Sequence, residues 1–414
     1  MKTFEDLINI AVSKGYSDIH LTGGMPFVYR KEGKIHFDQS PPWNYRDVDK
    51  LVMGMITPRQ LTTLRNNWSV DVALTVNRVR MRINIFYTTR GLSLAIRILP
   101  EVIPTIESLN LHPSLHEVSK LKSGLVLICG ATGTGKTTTL SALVEKINRL
   151  QPVHIITLED PIEYRFPQKA AFIEQREIGI HVPSFKQGLM DLLRENPDVV
   201  VVGELRDIES IRLTLSVAES GHLVFATLHA TDVEDAITRL SGAATSNEGQ
   251  DSMRYKIAAA INWFIIQEVV HFEHLGFRLP VLSILHGTPS IRSMIRENKL
   301  TQIETAMHTG KNEGMFTFER YIEEFINTRD RTTAKPYSMR RNVTSEPVES
   351  DYKSSLIDPN AHQNIVYMSA VEKPEPTPII SPPDDLFDSK QYVIDEEVDL
   401  KDLIDQLDDP GNKS

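Results

Sequence analysis

Hydrophobic and polar positions along the chain fall into three stretches of different rhythm. In the first, residues 1–100, apolar runs are short. Phe4, Leu7, Ile8, Ile10 and Ala11 recur at helical spacing, and Ser17-Asp18-Ile19-His20-Leu21 predicts a short strand. Gly23-Gly24-Met25-Pro26 turns the chain into a second strand, Phe27-Val28-Tyr29-Arg30, with Glu32-Gly33 as a hairpin turn. Further strands are predicted over 70–76, 79–87 and 92–99. In the middle one, basic and apolar residues alternate through Arg80, Met81, Arg82 and Ile83. Period-2 alternation puts Arg80 and Arg82 on one face, away from the core. Taken alone, that pattern reads first as a solvated sheet face. The stretch reads as a small α+β domain.

Pro100 and Pro104 mark a linker into residues 101–330, where apolar strands alternate with helices. Strands are predicted at 125–129, 153–158, 199–202 and 223–228. Helices are predicted from the end of a glycine-rich turn to about 150, over 185–194 and over 208–219. Residues 233–330 are expected to be helix-rich. Strands that are apolar throughout and separated by helices belong to a parallel sheet covered on both faces. The fold class is therefore α/β, preceded by the smaller α+β domain.

After residue 330 the periodicity stops. Residues 331–414 hold 9 of the 23 prolines and carry 9 basic against 17 acidic side chains, a net −8 of the chain's −10. This composition predicts a disordered acidic tail. Within it Leu400, Leu403, Ile404 and Leu407 fall at i, i+3, i+4 and i+7 among aspartates. That spacing fits an acidic helix folding on a protein partner, and equally a solvated acidic end. The first 330 residues are nearly neutral, so no direct contact with nucleic acid is expected. The one cysteine, Cys129, excludes an intramolecular disulfide and a Cys₄ zinc site, and its apolar strand makes an inert buried thiol the expectation. Met1-Lys2-Thr3-Phe4-Glu5-Asp6 carries acids where a signal peptide carries lysines. No run approaches the roughly 20 apolar residues of a membrane span. A cytoplasmic protein is expected.

Candidate chemistry gathers where the apolar strands end, the rim at which open parallel sheets hold ligands. The first strand, ending at Cys129, runs into Gly130-Ala131-Thr132-Gly133-Thr134-Gly135-Lys136-Thr137-Thr138, with the G-x-x-x-x-G-K-[ST] spacing of a phosphate-binding loop. Glycines let backbone amides wrap an anion, and the helix that follows adds the partial positive charge of its N-terminus. Lys136 can reach the β- and γ-phosphates, and the Thr137 hydroxyl can ligate Mg²⁺. The nine residues from Gly130 to Thr138 thus predict a nucleoside triphosphate site.

The next strand ends deliver Thr157-Leu158-Glu159-Asp160-Pro161-Ile162-Glu163, Val202-Gly203-Glu204-Leu205-Arg206-Asp207 and Thr227-Leu228-His229. Hydrolysis needs one carboxylate that positions or deprotonates water and one that supports the metal. Glu204, in the Walker B position, is the candidate for the metal or its waters. Glu159 and Glu163 are candidates for orienting the water, and spacing alone does not rank them. His222 and His229 are candidates to sense the γ-phosphate, or ordinary hydrogen-bonded histidines.

Residues 1–330 resemble the secretion-superfamily (type II/IV secretion) ATPases, and within them the PilT-like retraction motors of type IV pili. Residues 17–21 resemble that family's N-terminal signature, 157–164 its Asp box, 202–207 its Walker B segment and 221–229 its His box. Gly287-Thr288-Pro289-Ser290-Ile291-Arg292-Ser293-Met294-Ile295-Arg296-Glu297 resembles the A-I-R-x-x-I-R-E segment near the C-terminus of retraction ATPases.

The resemblance implies a PAS-like α+β domain over 1–100, a RecA-like ATPase domain with a C-terminal helical part over 101–330, and a tail over 331–414 outside both. It implies ATP and Mg²⁺ as ligands, and a homohexamer holding ATP between one subunit's N-terminal domain and another's RecA-like domain. Arg82 and Arg97 match basic positions that reach the phosphates. Glu163 matches the general base and Glu204 the Walker B acid, with Lys136 and His229 completing the catalytic set. The implied function is a motor at the cytoplasmic base of a type IV pilus, peripheral to the inner membrane and working on a platform protein there. Retraction and twitching motility follow from that, and an ATPase of a conjugative or type IV secretion machine is the alternative. The missing Cys₄ motif and N-terminal extension weigh against the assembly branch. Ser290 stands where the family has alanine, 245–252 and 269–277 fit the family poorly, and the acidic tail has no counterpart in its compact members.

Overall fold

The computed structural model describes residues 3–31, 34–77, 79–100, 102–244 and 249–337. The chain begins with helix α1 (Phe4–Lys14), which Thr3 and Asp6 close with a reciprocal capping box and which Gly15 ends at φ +70°. Strands β1 (Asp18–Thr22), β2 (Val28–Lys31) and β3 (Lys34–Phe37) follow, then helices α2 (Tyr45–Met55) and α3 (Pro58–Asn67). Strands β4 (Ser69–Val76), β5 (Val79–Thr88) and β6 (Gly91–Ile98) complete an antiparallel sheet of six strands in the order β3-β2-β1-β6-β5-β4. The expected hairpin turn at Glu32-Gly33 lies outside the described residues, but β2 and β3 pair Lys31 with Lys34 across it. Met81, Ile83 and Ile85 of β5 are buried against Leu7 and Ile8 of α1, and Arg80 and Arg82 take the other face, as their alternation predicts.

The second sheet starts at β7 (Gly124–Cys129), which leads into α4 (Lys136–Leu150). Then come β8 (His154–Glu159), β9 (Phe172–Glu177), α5 (Phe185–Glu195), β10 (Val199–Val202), α6 (Ile208–Glu219), β11 (Leu223–Leu228), α7 (Val233–Ser241) and α8 (Gln250–Ala260). Strands β12 (Ile261–Phe272) and β13 (Phe277–His286) and helices α9 (Pro289–Arg296), α10 (Ile303–Thr309) and α11 (Phe318–Tyr321) end the series. The seven strands lie in the order β13-β12-β7-β11-β10-β8-β9, parallel except for the β12–β13 hairpin. Alternate residues of β7 serve opposite cores: Leu125, Leu127 and Cys129 on one side, Val126 and Ile128 on the other. That is why the central strands are apolar at every position.

The helix-rich expectation for 233–330 is corrected by β12 and β13, a long hairpin that extends the sheet beyond β7. Nothing in the sequence separates α8 from β12, because Ala260 and Ile261 follow one another without a glycine or proline. The composition break at 330 also falls short of the last packed residue. Ala334 is buried, Asn110 Nδ2 donates to the Lys335 carbonyl at 2.7 Å, and Tyr337 Oη donates to the Val102 carbonyl at 2.8 Å. These are single-residue contacts with no period, so an apolar pattern has nothing to report there. The acidic segment around Leu400 lies outside the described residues. Among the described residues, no helix is long and apolar enough to cross a membrane.

Candidate functional site

The carboxyl ends of β7, β8, β10 and β11 point to one rim, and beyond it lies a cleft of about 610 Å³. Its walls include Thr132, Lys136, Thr137 and Thr138 after β7, Glu159 and Glu163 after β8, Glu204 after β10 and His229 after β11. The opposite wall is the face of the first sheet, with Asp18, Arg82 and Arg97.

The phosphate loop is shaped by backbone conformations that favour glycine. Gly135 has φ +84° and opens α4 with no side chain capping its first amides. Helices α5, α6, α7 and α9 are each capped by a side chain, from Ser184, Asp207, Asp232 and Thr288. The uncapped amides of α4, aimed into the cleft, fit an anion. At Gly130, φ +152°, a Cβ would sit 2.4 Å from the Gln267 carbonyl oxygen, so a side chain there would push the loop off β12. Lys136 is buried, and its Nζ donates to the Gly130 and Ala131 carbonyls at 2.8 and 3.0 Å. Burial lowers its affinity for the proton, which the Glu204 carboxylate partly offsets.

The three carboxylates differ in surroundings. Glu159 is buried, and its Oε1 accepts from Thr157 Oγ1 at 2.7 Å and from Gln175 Nε2 at 3.1 Å. Desolvation pushes its pKa up to about 7 against those bonds. Glu163 is half-buried, and desolvation raises its pKa while the charges of Arg82 and Arg97 pull it down. Glu204 is held by His229 Nε2 on one oxygen and by Arg206 Nε on the other, the latter at 2.5 Å. The arginines have carboxylate partners on their own sheet: Arg82 Nη2 donates to Asp71 at 3.1 Å and Arg97 Nε to Asp18 at 2.9 Å.

The structure therefore brings together Lys136, Thr137, Glu163, Glu204, His229, Arg82 and Arg97. It does not bring His222 there. His222 precedes β11 while His229 follows it, so the two stand at opposite ends of the sheet, and His222 Nδ1 contacts Ser220 Oγ and the Val217 carbonyl. Sequence reasoning passed over Gln267 on β12. Its Nε2 donates to the Thr134 carbonyl at 2.6 Å and its Oε1 accepts from Thr139 Oγ1 at 2.7 Å, so it grips both arms of the loop. A lone glutamine inside an apolar run, Phe264-Ile265-Ile266-Gln267, was the available signal.

The sequence profile described as Type II/IV secretion system protein matches residues 46–319. The chain belongs to that family. It is 37% identical to the Escherichia coli protein YggR, over 78% of this chain and 98% of that protein. It is 34% identical to the type IV pilus retraction ATPase PilT of Pseudomonas aeruginosa, over 78% of this chain and 93% of that protein. The crystal structure of the pilus retraction motor PilT with bound ADP superposes with a TM-score of 0.69 at 36% identity, covering 78% of this chain and 96% of that one. The chain is accordingly a P-loop ATPase with a RecA-like nucleotide-binding fold behind an N-terminal sheet domain.

Proposed function

We propose that this ATPase is the retraction motor of a type IV pilus, hydrolysing Mg·ATP as a homohexamer. The observation that carries the reading is the cleft itself. A phosphate loop, Glu163, Glu204, His229 and two arginines converge there, in a chain similar along most of its length to retraction ATPases.

In this reading the loop amides and Lys136 bind the triphosphate, with Lys136 exchanging the Gly130 and Ala131 carbonyls for phosphate oxygens. Thr137 and Glu204, hard oxygen donors at the cleft, would hold Mg²⁺, which would supply positive charge to the transferred phosphate. Glu163 takes a proton from the attacking water. Desolvation raises its pKa above the ordinary carboxylate value, which makes it a stronger base. Arg82 and Arg97 stabilise the charge that develops on the transferred group, and His229 orients Glu204.

The same reading divides the chain at 100 and, with the contacts made by 335–337, after 337. It has the N-terminal domain of the same chain close the cleft, since its own Arg82 and Arg97 line it, in place of the neighbouring subunit's domain that the resemblance implies. It places the motor on the cytoplasmic side of the inner membrane against a platform protein. The tail beyond residue 337 serves localisation or partner choice rather than hydrolysis. Cells lacking the gene are expected to be hyperpiliated and unable to twitch. Normal twitching with lost plasmid or effector transfer would sink the retraction reading and favour a secretion machine.

A further inference from the structure

We propose that Arg80 is a positioning residue, whose guanidinium reaches from the first sheet to fix the peptide preceding Glu163 and so aims that carboxylate. Arg80 shares a face with Arg82 but is not among the residues lining the cleft. Its Nε donates to the Ile162 carbonyl at 2.8 Å, and its Nη2 donates to Glu177 Oε2 at 3.0 Å. The same Glu177 oxygen accepts the Ile162 amide at 3.1 Å. Both backbone polar groups of Ile162 are therefore held, one from β5 of the first sheet and one from β9 of the second.

The Ile162 carbonyl belongs to the peptide bond that begins Glu163. Rotation of that peptide breaks the Arg80 bond, so the bond fixes the direction in which Glu163 leaves the chain. The side chains of Arg80 and Glu177 are only 11% and 5% exposed. A solvated sheet face, one reading of the basic alternation, does not describe Arg80. Burying a guanidinium and a carboxylate is costly, and an apolar pair would hold two elements together as well or better. What the ionic pair adds is direction, because the planar fork offers fixed donors to a carbonyl and a carboxylate at once. Two residues further along β5, Arg82 faces the cleft. Movement of the first sheet against the second thus shifts the Arg82 charge and the Glu163 loop together.

The inference rests on Glu163 being the carboxylate that acts on water. The test uses the full-length protein, steady-state ATP turnover and binding of a fluorescent ATP analogue, with Glu163→Gln run in parallel. Arg80→Ala is expected to lower kcat about 10- to 100-fold while KM and analogue affinity stay within about twofold, the signature of a misaimed group rather than a lost ligand. Arg80→Lys, able to keep one of the two bonds, is expected to restore part of that loss. Glu177→Gln keeps an acceptor for the Ile162 amide but loses the charge, and it carries the test if Arg80→Ala folds poorly. It too is expected to lower kcat at unchanged KM. Wild-type kcat in these variants, or a loss of affinity matching the loss of kcat, overturns the proposal. Full turnover in Glu163→Gln instead overturns the assignment of Glu163, and the proposal with it.

Discussion

Glu159 ties the stability of the molecule to pH through one buried carboxyl. Desolvation holds its pKa at about 7 in the folded chain, whereas an unfolded chain releases that proton at about 4.3. Between those values the folded state binds a proton the unfolded state has lost, so this contribution falls as pH rises. It is complete below the unfolded value and gone once pH passes about 7. Glu159→Gln removes the titration, and its amide oxygen can still accept from Thr157 and Gln175. Thermal melts from about pH 5 to about pH 8 are expected to show wild type losing Tm relative to the variant as pH rises, then a constant difference. A difference that is flat throughout would mean the carboxyl is not held protonated. At this scale the sequence was most legible where a spacing has only one chemical use, as from Gly130 to Thr137. It was least legible for residues such as Arg80, whose partners lie 82 and 97 positions away.

Elements bounded by a glycine or a cap were readable: α4 follows Gly135, and α6 follows Asp207, whose carboxylate accepts the Ser210 amide. The β12–β13 hairpin was not, since its run of apolar residues continues directly from α8 and only tertiary contacts mark the change. Arg292 makes that junction, donating to the Ala258 carbonyl at the end of α8 at 2.6 Å and to Asn262 Oδ1 on β12 at 3.0 Å. The hairpin matters for function because it carries Gln267, which is only 2% exposed, against the phosphate loop. Gln267→Leu is similar in volume but strands the Thr134 carbonyl and Thr139 hydroxyl, at about 1–3 kcal/mol for each buried group left unpaired. Analogue affinity is expected to fall about tenfold, since the loop no longer holds its shape before phosphate arrives. Calorimetric titration with ATP checks this, and unchanged affinity would mean the glycines alone set the loop.

For the whole molecule, the question is where the ATPase ends. Composition places the break at 330, yet the chain from 331 to 337 returns to the segment joining the two sheets. Lys335 bonds Asn110 through both its carbonyl and its amide, Arg331 Nε donates to the His274 carbonyl, and Tyr337 Oη reaches the Val102 carbonyl. Val102 lies just past Leu99 and Pro100, which line the cleft. A chain ending at Tyr337 is therefore expected to melt and hydrolyse ATP like the full-length protein. A chain ending at Asp330 loses several hydrogen bonds and the buried Ala334, a loss of about 2–4 kcal/mol if each bond contributes about 1 kcal/mol. Its Tm is expected to drop by several degrees. Its turnover should also fall, because the linker released at Val102 runs on from Leu99 and Pro100 of the cleft wall. Equal stability of the two truncations would show that the segment rests on the surface without supporting it, and would return the functional boundary to 330.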